Sequence, residues 1–456
     1  MNLREKTSSK ISLYLMIAVL SVVVSGIWIK GSDVFGVTHS NPTGKKITPI
    51  HNSVATDNGT DPANRGDIIN VKSFGAYGDG EHNDTAAIQA AIDAAAGKNA
   101  TVFVPPGEYK IDAVQSLNLK SGITLQMTPE SILRVIPNSV ARYALLSVNG
   151  VENVRIRSGV LIGDRKRHFG IGGEWGMGIR IVGAKSIEIE GTTCNEFWGD
   201  GIYIGETPAG KPSENIRINN IKADQNRRQG LSLISGKNIE IIGARITNTN
   251  GTAPAAGIDI EPNNARNVLE NINIRDLYTS ENQGAGILIC LGPLSDTANP
   301  ISIRVTSHHD DGSDRGMQIS SKGIIPGSMV IENANLSNAK RAAIAIQSHD
   351  HRAFPIRISR IKIINPNQKT QGAAVEIYRF KDDKPTDNGG IGNITIEKPV
   401  ISFTNFVSRT PIAFYIWDFP GHQVEKVNII DPVLEGNLTK QSIQNNIHEF
   451  VRYTAP

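Results

Sequence analysis

Apolar and polar residues alternate in a short phrase that recurs along the chain. The phrase is Gly-Ile-x-Ile, with Leu or Met at some Ile positions and Ala for Gly in the last two copies; it begins at Gly178, Gly201, Gly230, Gly257, Gly286, Gly316, Ala343 and Ala374. Successive starts lie between 23 residues (178 to 201) and 31 residues (343 to 374) apart. The alternation predicts strands with one buried face. The repeat length predicts units that stack into a solenoid.

A second set of short strands falls between the first. Its copies read Asn-Ile-x-Ile and begin at Asn215, Asn238, Asn271 and Asn393. Asn tolerates the left-handed backbone of a tight corner, and stacked Asn side chains can bond to one another. Two or more strands per repeat without a helical pattern predict an all-β, parallel β-helix. The consensus of a leucine-rich horseshoe is missing, and a propeller blade needs about 40–45 residues.

Composition and charge narrow the function classes. A chain of 456 residues could hold two or three ordinary domains, but a solenoid grows along one axis and needs only one. The net charge of +3 is too small to suggest nucleic acid, and the basic run Arg165-Lys-Arg has no aromatic platform beside it. The two cysteines, Cys194 and Cys290, are too few for a disulfide framework and fit no metal spacing.

The N-terminal segment differs from the repeats. Basic residues precede an apolar run from Ile11 to Ile29, which predicts an export signal or a retained membrane anchor in residues 1–30. Residues 31–66 are rich in Asn, Thr, Gly and Pro and predict a disordered linker. The β-helix is expected over residues 67–440, outside the cytoplasm as a secreted, periplasmic or anchored protein, and a C-terminal tail over 441–456.

One helical pattern stands between the linker and the repeats. Asn83-Asp84 offers an N-cap for a helix from Thr85 to Ala96, with Ile88, Ile92 and Ala95 on one face and Gly97 at its end. A solenoid needs a cover for its first open coil. We therefore predict that this helix caps the β-helix.

The same region resembles a known superfamily. Three phrases carry the resemblance: Phe74-Gly-Ala-Tyr-Gly-Asp-Gly, Asn83-Asp-Thr-Ala-Ala-Ile-Gln-Ala-Ala-Ile-Asp and Val104-Pro-Pro-Gly-Glu-Tyr. They are similar to the N-terminal segment of the pectate-lyase-like superfamily, which includes polygalacturonase-type hydrolases, alginate epimerases and phage tailspikes. The resemblance implies a single-stranded right-handed parallel β-helix that acts on polysaccharide. It leaves the reaction open, because this fold hosts hydrolases, lyases, epimerases and binders.

The catalytic phrases of those enzymes are present only in part. Gly199-Asp200-Gly201 resembles the Gly-Asp-Asp phrase of the polygalacturonase-type hydrolases, with one carboxylate instead of two. Gln229 stands where their catalytic His is expected, and the Asp-Pro-His phrase of the alginate epimerases is absent. From the hydrolases, the resemblance carries over only Asp200.

The variable position of the repeated phrase predicts a column of outward-facing side chains. Side chains alternate across a sheet, so x faces away from the core. The column holds Arg180, Tyr203, Ser232, Asp259, Leu288, Gln318, Ala345 and Glu376. From this column and its rim we predict a substrate-binding set that includes two tryptophans for sugar stacking: Arg228, Arg180, Tyr203, Trp198, Trp175, Gln318 and Glu376.

Asp259 and Glu261 are the predicted catalytic pair. Residues i and i+2 of a strand share a face about 6.5–7 Å apart. Glycoside hydrolysis uses two carboxyl groups at ~5–5.5 Å for retention or ~6.5–9.5 Å for inversion. Asp200, two coils away, is the third predicted catalytic carboxylate. The alternative is that these acids only solvate and protect a sheet edge.

Other polar groups are open to more than one interpretation. Arg228, between Asp200 and Asp259 in sequence, is suited to bind a uronate carboxylate, or it pairs with the two acids. His168 precedes the first regular coil as a candidate base or an ordinary loop residue. His308-His309 and His349-Asp-His351 match metal spacing only loosely, so we expect no metal cofactor, except Ca²⁺ if the protein is a lyase.

Three functions remain open from the sequence. The first is a glycoside hydrolase of an acidic or partly acidic polysaccharide, with Asp259 and Glu261 as acid and base. The second is a polysaccharide lyase or uronate C5-epimerase, in which Arg228 or Tyr203 moves the C5 proton. The third is a non-catalytic polysaccharide-binding or assembly protein, tethered to the envelope by residues 11–29.

Overall fold

The computed structural model describes most of the chain from residue 67 to residue 454. It describes this span except residues 297, 370–371, 381–382, 384–388, 405–411, 419–421, 423, 436–442 and 446–450. The predicted export segment and linker in residues 1–66 lie outside the described residues. Among the described residues, no helix is both long and apolar enough to cross a membrane.

Three parallel sheets wind around one core and confirm the predicted parallel β-helix. The first coils contribute strands to sheets A and B only; from Leu117 to Glu435 each coil contributes one strand to each sheet, in the order C, A, B along the chain. Sheet A holds the Asn-Ile-x-Ile strands; its members are Ile68–Asn70, Thr101–Val104, Thr124–Met127, Glu152–Arg157, Lys185–Glu190, Ser213–Asn219, Gly236–Ile242, Leu269–Arg275, Ile301–Thr306, Gly327–Glu332, Ile356–Ser359, Gly392–Glu397, Glu425–Ile430 and Val451–Thr454.

Sheet B is made of shorter strands, and sheet C holds the Gly-Ile-x-Ile strands. Sheet B comprises Asp79–Asn83, Gly107–Ile111, Ser131–Val135, Val160–Ile162, Thr193–Asn195, Lys222–Asp224, Arg245–Thr247, Tyr278–Ser280, His309–Asp311, Asn335–Ser337, Lys362–Ile364, Val400–Ser402 and Val433–Glu435. Sheet C comprises Leu117–Asn118, Arg142–Asn149, Trp175–Val182, Ile202–Gly205, Leu231–Leu233, Ile258–Ile260, Ala285–Cys290, Arg315–Ser320, Ile344–Gln347, Ala373–Tyr378, Ile412–Trp417 and Ile443–Asn445.

The repeated residues explain why the coils stack. The Ile and Leu side chains that flank the variable position are fully buried in the core, as at Ile202, Leu231 and Ile258. The Gly that opens the phrase leaves room for the next coil, because a Cβ at Gly201 or Gly257 would lie within 2.7 Å of the carbonyl oxygen of the following copy.

The asparagine corners form as predicted. Asn215, Asn238 and Asn271 each have φ of 54°, in the left-handed region. Asn238 Nδ2 donates to Asn215 Oδ1 at 2.8 Å, and Asn271 Nδ2 donates to Asn238 Oδ1 at 2.9 Å. The side chains therefore form a ladder along the axis that links one coil to the next.

A helix from Thr85 to Ala95 caps the first coil, as predicted. Its residues Ile88, Ile92 and Ala95 are fully buried, and it packs on the first strands of sheets A and C. The N-cap differs from the expectation in detail. Asn83 Oδ1 accepts from Thr85 N at 3.0 Å, whereas the Asp84 carboxylate accepts from the backbone of the preceding glycine-rich turn.

The β-helix extends beyond the predicted boundary at residue 440. Ile443–Asn445 pairs with Ile412–Trp417 in sheet C, and Val451–Thr454 pairs with Glu425–Ile430 in sheet A. The segment expected as a tail therefore contributes strands to the solenoid. Its alternating Ile-Gln-Asn and Val-Arg-Tyr-Thr stretches were too short to be recognised as repeats.

Candidate active site

The predicted column exists on sheet C. Backbone pairing places its members in one row, one residue per coil, and the paired order is Arg180, Tyr203, Ser232, Asp259, Leu288, Gln318, Ala345 and Glu376. At the ~4.8 Å strand spacing, Gln318 lies two coils from Asp259 and Glu376 lies four. The structure therefore brings Asp259 together with the residues at Arg180 to Ser232, and places Gln318 and Glu376 further along the same face.

Asp200 lies on the rim of this column and is completely buried. Its Oδ2 accepts hydrogen bonds from Ser232 Oγ at 2.9 Å and from Arg228 Nη1 at 3.2 Å. Burial raises the pKa of Asp200 to about 6, and the positive charge of Arg228 limits the rise. Since this carboxylate accepts hydrogen bonds from Ser232 and Arg228, Asp200 is placed to orient Arg228.

Asp259 is also completely buried, although it lies at an outward position of its strand. Its Oδ2 accepts from Gln229 Nε2 at 2.8 Å, while its Oδ1 has no hydrogen-bond partner among the described residues. Burial raises the pKa of Asp259 well above its ordinary value, and the neighbouring carboxyl group of Glu261 raises it further. The protonated form of Asp259 is therefore favoured over that of an ordinary aspartate, and its neighbour Glu261, two residues along the strand, is half-buried.

Arg228 is the centre of the site. Burial lowers its pKa, but the surrounding carboxyl groups outweigh burial and raise the pKa; these groups belong to Asp200, Asp259, Glu174 and Glu261. Arg228 Nη1 contacts Asp200, and Nε lies 3.9 Å from Glu174 Oε2. Within the described chain Nε has no hydrogen-bond partner. The guanidinium therefore keeps one N–H free for an anionic ligand.

Arg180 and Tyr203 extend the site by one coil. Burial raises the pKa of Tyr203 and lowers that of Arg180, and the two side chains influence each other's pKa. Arg180 Nη1 donates to Asn149 Oδ1 at 3.0 Å. Trp175, at the start of the strand that carries Arg180, has the Arg142 guanidinium of the preceding coil 4.9 Å from its ring centroid. A phenol and a guanidinium group thus continue the column beside Arg228.

Trp198 is held within a polar cluster. His168 stacks on its ring with centroids 4.2 Å apart, and the Arg227 guanidinium lies 3.8 Å from the same centroid. His168 Nδ1 pairs with Asp164 Oδ2 at 2.9 Å, and the imidazole is fully covered. Stacking of Trp198 on a sugar would require one of these groups to leave, so its present contacts hold Arg227 and the neighbouring loop.

Two parts of the site were not identified from the sequence. Glu174 approaches Arg228 from the loop before Trp175, and no motif marks it. Gln229 holds Asp259; its position before Gly230 is the same as that of Asp200 before Gly201, and this shared position was the available signal.

Metal binding has little support in the described part of the chain. No group of three or more His, Cys, Asp or Glu residues there is placed to hold a metal ion. His308 and His349 are buried, and burial lowers the pKa of each. At the candidate site the acidic side chains surround a guanidinium group, which supplies the positive charge itself.

A second concave surface lies on sheet A. A groove of about 420 Å³ is lined by residues that include Arg155, Glu188 and Arg217. Arg155 Nε pairs with Glu188 Oε2 at 3.2 Å, and Arg217 Nη1 pairs with Glu240 Oε2 at 3.0 Å. These oppositely charged side chains pair with one another at the protein surface.

Comparison with known sequences identifies related proteins over part of the chain. Residues 68–291 match the family model described as rhamnogalacturonase A/epimerase, pectate lyase-like. The protein YclG of Bacillus subtilis is 32% identical over 222 residues, which cover 42% of this chain and 38% of YclG. The mannuronan C5-epimerase AlgE4 of Azotobacter vinelandii is 38% identical over 147 residues, which cover 29% of this chain and 27% of AlgE4. The chain thus spans well under half the length of these relatives.

Solved structures share the fold over most of the chain. The A-module of AlgE4 superposes with a TM-score of 0.63 at 19% identity and covers 86% of this chain and 98% of the module. A family 28 exopolygalacturonase of Yersinia enterocolitica superposes with a TM-score of 0.59 at 16% identity and covers 85% of this chain and 78% of the enzyme. At these identities the likeness shows a common architecture.

Proposed function

We propose that this parallel β-helix protein, whose residues 68–291 match a pectate-lyase-like family model, hydrolyses glycosidic bonds of an acidic polysaccharide. One observation carries the proposal: Asp200 and Glu174 lie against Arg228, and the buried Asp259, whose pKa burial raises well above its ordinary value, lies two residues from the half-buried Glu261 on the same face. Glycoside hydrolysis needs a protonated carboxyl group and a carboxylate at one site.

The Asp259–Glu261 pair supplies the acid. Glu261 is the partly exposed member and therefore touches the substrate, while Asp259 holds the proton behind it. The proton passes to the glycosidic oxygen as the bond to the anomeric carbon breaks. A second carboxylate takes a proton from the attacking water, whose hydroxyl group bonds to the anomeric carbon. Glu174, partly exposed beside Arg228, is suited to that role.

Arg228 binds the acidic group of the sugar. Its Nε is buried without a partner in the described structure, so a uronate carboxylate would gain a charge-assisted hydrogen bond there. Asp200 fixes the guanidinium through Nη1. Arg180, Tyr203 and Trp175 lie on the adjoining coils, where the next sugar of the chain would bind.

A uronate C5-epimerase or a polysaccharide lyase is the second candidate. The similarity to a mannuronan C5-epimerase over 147 residues favours it. In this reaction Arg228 would neutralise the uronate carboxylate, Glu261 would remove the C5 proton, and Tyr203 would return or donate a proton. Arg228 takes the place that Ca²⁺ would otherwise fill, because the carboxyl groups around it are already engaged with a cation.

The proposal includes export. The basic flank and the apolar run from Ile11 to Ile29 would deliver the β-helix outside the cytoplasm, cleaved or anchored, where acidic polysaccharides occur. A non-catalytic envelope protein would share this route and would bind the same polymers without changing them.

A product analysis with matched variants separates these functions. Purified full-length protein is incubated with polygalacturonate, mannuronan and neutral glucans. A hydrolase produces new reducing ends without the ultraviolet absorbance of unsaturated uronates, a lyase produces both, and an epimerase changes only the C5 configuration seen by NMR. A binder changes none of them.

The double variant Asp259→Asn with Glu261→Gln tests the site. Loss of acid catalysis is expected to slow turnover by about 10²–10⁴-fold. Glu188→Gln, on sheet A, is the control and should retain full turnover. Unchanged turnover in the double variant would refute the site assignment.

A further inference from the structure

Arg315 occupies an unusual position on sheet C. It directly precedes Gly316, at the position that holds Asp200 and Gln229 on the coils of the candidate site. On the coils around it this position is Ala256, Ala285, Ala342 or Ala373. The row of alanines leaves space that one long side chain fills, and Arg315 is only 6% exposed.

The guanidinium of Arg315 is poorly compensated for so buried a charge. Nη1 lies 3.5 Å from Asp314 Oδ2 and Nη2 lies 3.7 Å from Glu376 Oε2, both at or beyond the limit of a good hydrogen bond. Nε is buried without any partner in the described region. Asp314 is already held by Arg341, whose Nε donates to Asp314 Oδ2 at 2.7 Å. A buried cation with a free N–H is the arrangement that an anion would complete.

A small buried apolar cluster separates this group from the candidate active site. Ala256, Ala285 and Leu288 form a small cluster apart from the main core, with Cys290 packed against it. Leu288 pairs with Asp259 on one side and Gln318 on the other, so the cluster lies between the two polar groups. Arg228 on the Gly230 coil and Arg315 on the Gly316 coil are thus three coils apart, about 14 Å along the axis.

Polar side chains continue beyond Arg315. Gln318 Nε2 donates to Gln347 Oε1 at 3.2 Å, and Gln347 Nε2 donates to Tyr378 Oη at 2.5 Å. These groups lie on the same face of sheet C and offer donors and acceptors to sugar hydroxyls. They give the predicted residues Gln318 and Glu376 a shared location beside Arg315.

We propose that Arg315 forms a second carboxylate-binding subsite, which takes a uronate unit of a polysaccharide chain lying along the solenoid axis. The Glu376 carboxylate pairs with the Arg315 guanidinium when no ligand is bound, and the uronate carboxylate replaces it on binding. This proposal rests on the proposed function, because it assumes an acidic polymer whose reacting sugar unit binds at Arg228. It also requires that more than one unit of the chain be acidic.

Binding to a catalytically inactive protein tests the subsite. The background is full-length Asp259→Asn with Glu261→Gln, and the probes are oligogalacturonates and oligomannuronates of increasing length, with carboxyl-reduced versions of each. Arg315→Gln should weaken binding of the long acidic probes by roughly tenfold to a hundredfold, the worth of a hydrogen bond to a charged group. Binding of short or carboxyl-reduced probes should stay unchanged.

Arg304→Gln is the matched control, since Arg304 lies on sheet A of the preceding coil and pairs with Glu332 at the exposed surface. Its affinities should equal those of the background protein. Equal affinities of Arg315→Gln and Arg304→Gln for long acidic probes would overturn the subsite.

Glu376→Gln gives a second test of opposite sign, which does not depend on removing the buried cation. Without the competing carboxylate, Arg315 should bind long acidic probes more tightly than in the background protein. If Arg315 serves only to pair with Glu376, this variant loses stability without gaining affinity, and the subsite is refuted.

Failure of the subsite is distinguishable from failure of the proposed function. Turnover of acidic polymers by the wild-type protein, together with indifference to Arg315→Gln, leaves the function intact and removes the subsite. Absence of both turnover and binding with every acidic probe removes both.

Discussion

Burial by surrounding groups raises the pKa values of the Asp200 and Asp259 carboxyl groups. The place of Asp259 on the column follows from strand alternation, whereas Asp200, on the rim, was selected by its resemblance to a hydrolase phrase. Their complete burial follows from neither, because the covering groups come from neighbouring coils and from the loop that carries Glu174. A local pattern specifies which side of a strand a residue takes. It does not specify which distant side chains lie above it.

The titration of Asp200 predicts how stability varies with pH. Burial raises its pKa from 3.8 to about 6, so between these values the native protein keeps a proton that the unfolded chain releases. The free energy of unfolding therefore falls as pH rises through this window, by up to about 3 kcal/mol at ~1.4 kcal/mol per pKa unit. Asp200→Asn should remove that decline, as measured by urea denaturation across the window.

Asp310 provides the control for this titration. It is buried away from the candidate site, and burial raises its pKa to about 7. Asp310→Asn should flatten the stability curve over a wider window, up to about pH 7. Parallel curves for the wild type and Asp200→Asn would show that the Asp200 titration is not coupled to folding.

At the scale of the element, the corners of each coil are specified by single residues. The glycine that opens each sheet C strand, and the asparagine that opens several sheet A strands, have conformational or steric reasons for their identity. The role of the asparagine was predicted because its cause is local, whereas the glycine was seen only to recur, because its cause is the carbonyl oxygen of the next coil. The last strands, Ile443–Asn445 and Val451–Thr454, were missed because they lack these corner residues.

Gly257→Ala is expected to destabilise the coil that carries Asp259. The new Cβ would lie 2.6 Å from the carbonyl oxygen of Gly286, and such overpacking costs about 1–3 kcal/mol. Gly292→Ala places its Cβ in open space at an ordinary φ and should change stability by less than about 0.5 kcal/mol. Thermal and urea denaturation of both variants would measure the difference, and equal stability would contradict this explanation of the repeated glycine.

At the scale of the described solenoid, the strand edges and the core are continuous along the axis and would be exposed only at the two ends. The helix Thr85–Ala95 buries Ile88 and Ile92 against the first coil and so covers strand edges and core that would otherwise pair with another chain. Its helical spacing made it predictable from sequence. The reaction was not predictable in the same way, since one fold accommodates several chemistries through a few side chains on one face.

Removal of the cap contacts should cause self-association. Ile88→Ala with Ile92→Ala loses about 2–5 kcal/mol of packing at each position and loosens the helix from the first coil. Light scattering should then detect assemblies larger than those of the wild type. Ala90→Ser, on the exposed side of the same helix, should remain like the wild type. A double variant of the same size as the wild type would show that the first coil is protected by other means.

The column has one residue per coil, so the spacing of the coils sets the distances between its side chains. Each coil advances the column by about 4.8 Å. The number of coils between two charged groups therefore sets the distance between them, and a linear polymer binds both groups only if its own charges are the same distance apart. A duplication or loss of one whole coil between Asp259 and Arg315 would shift that separation by one step while leaving each polar cluster unchanged. The gain or loss of coils would thus change which spacing of acidic units the protein selects, without changing which bond it breaks.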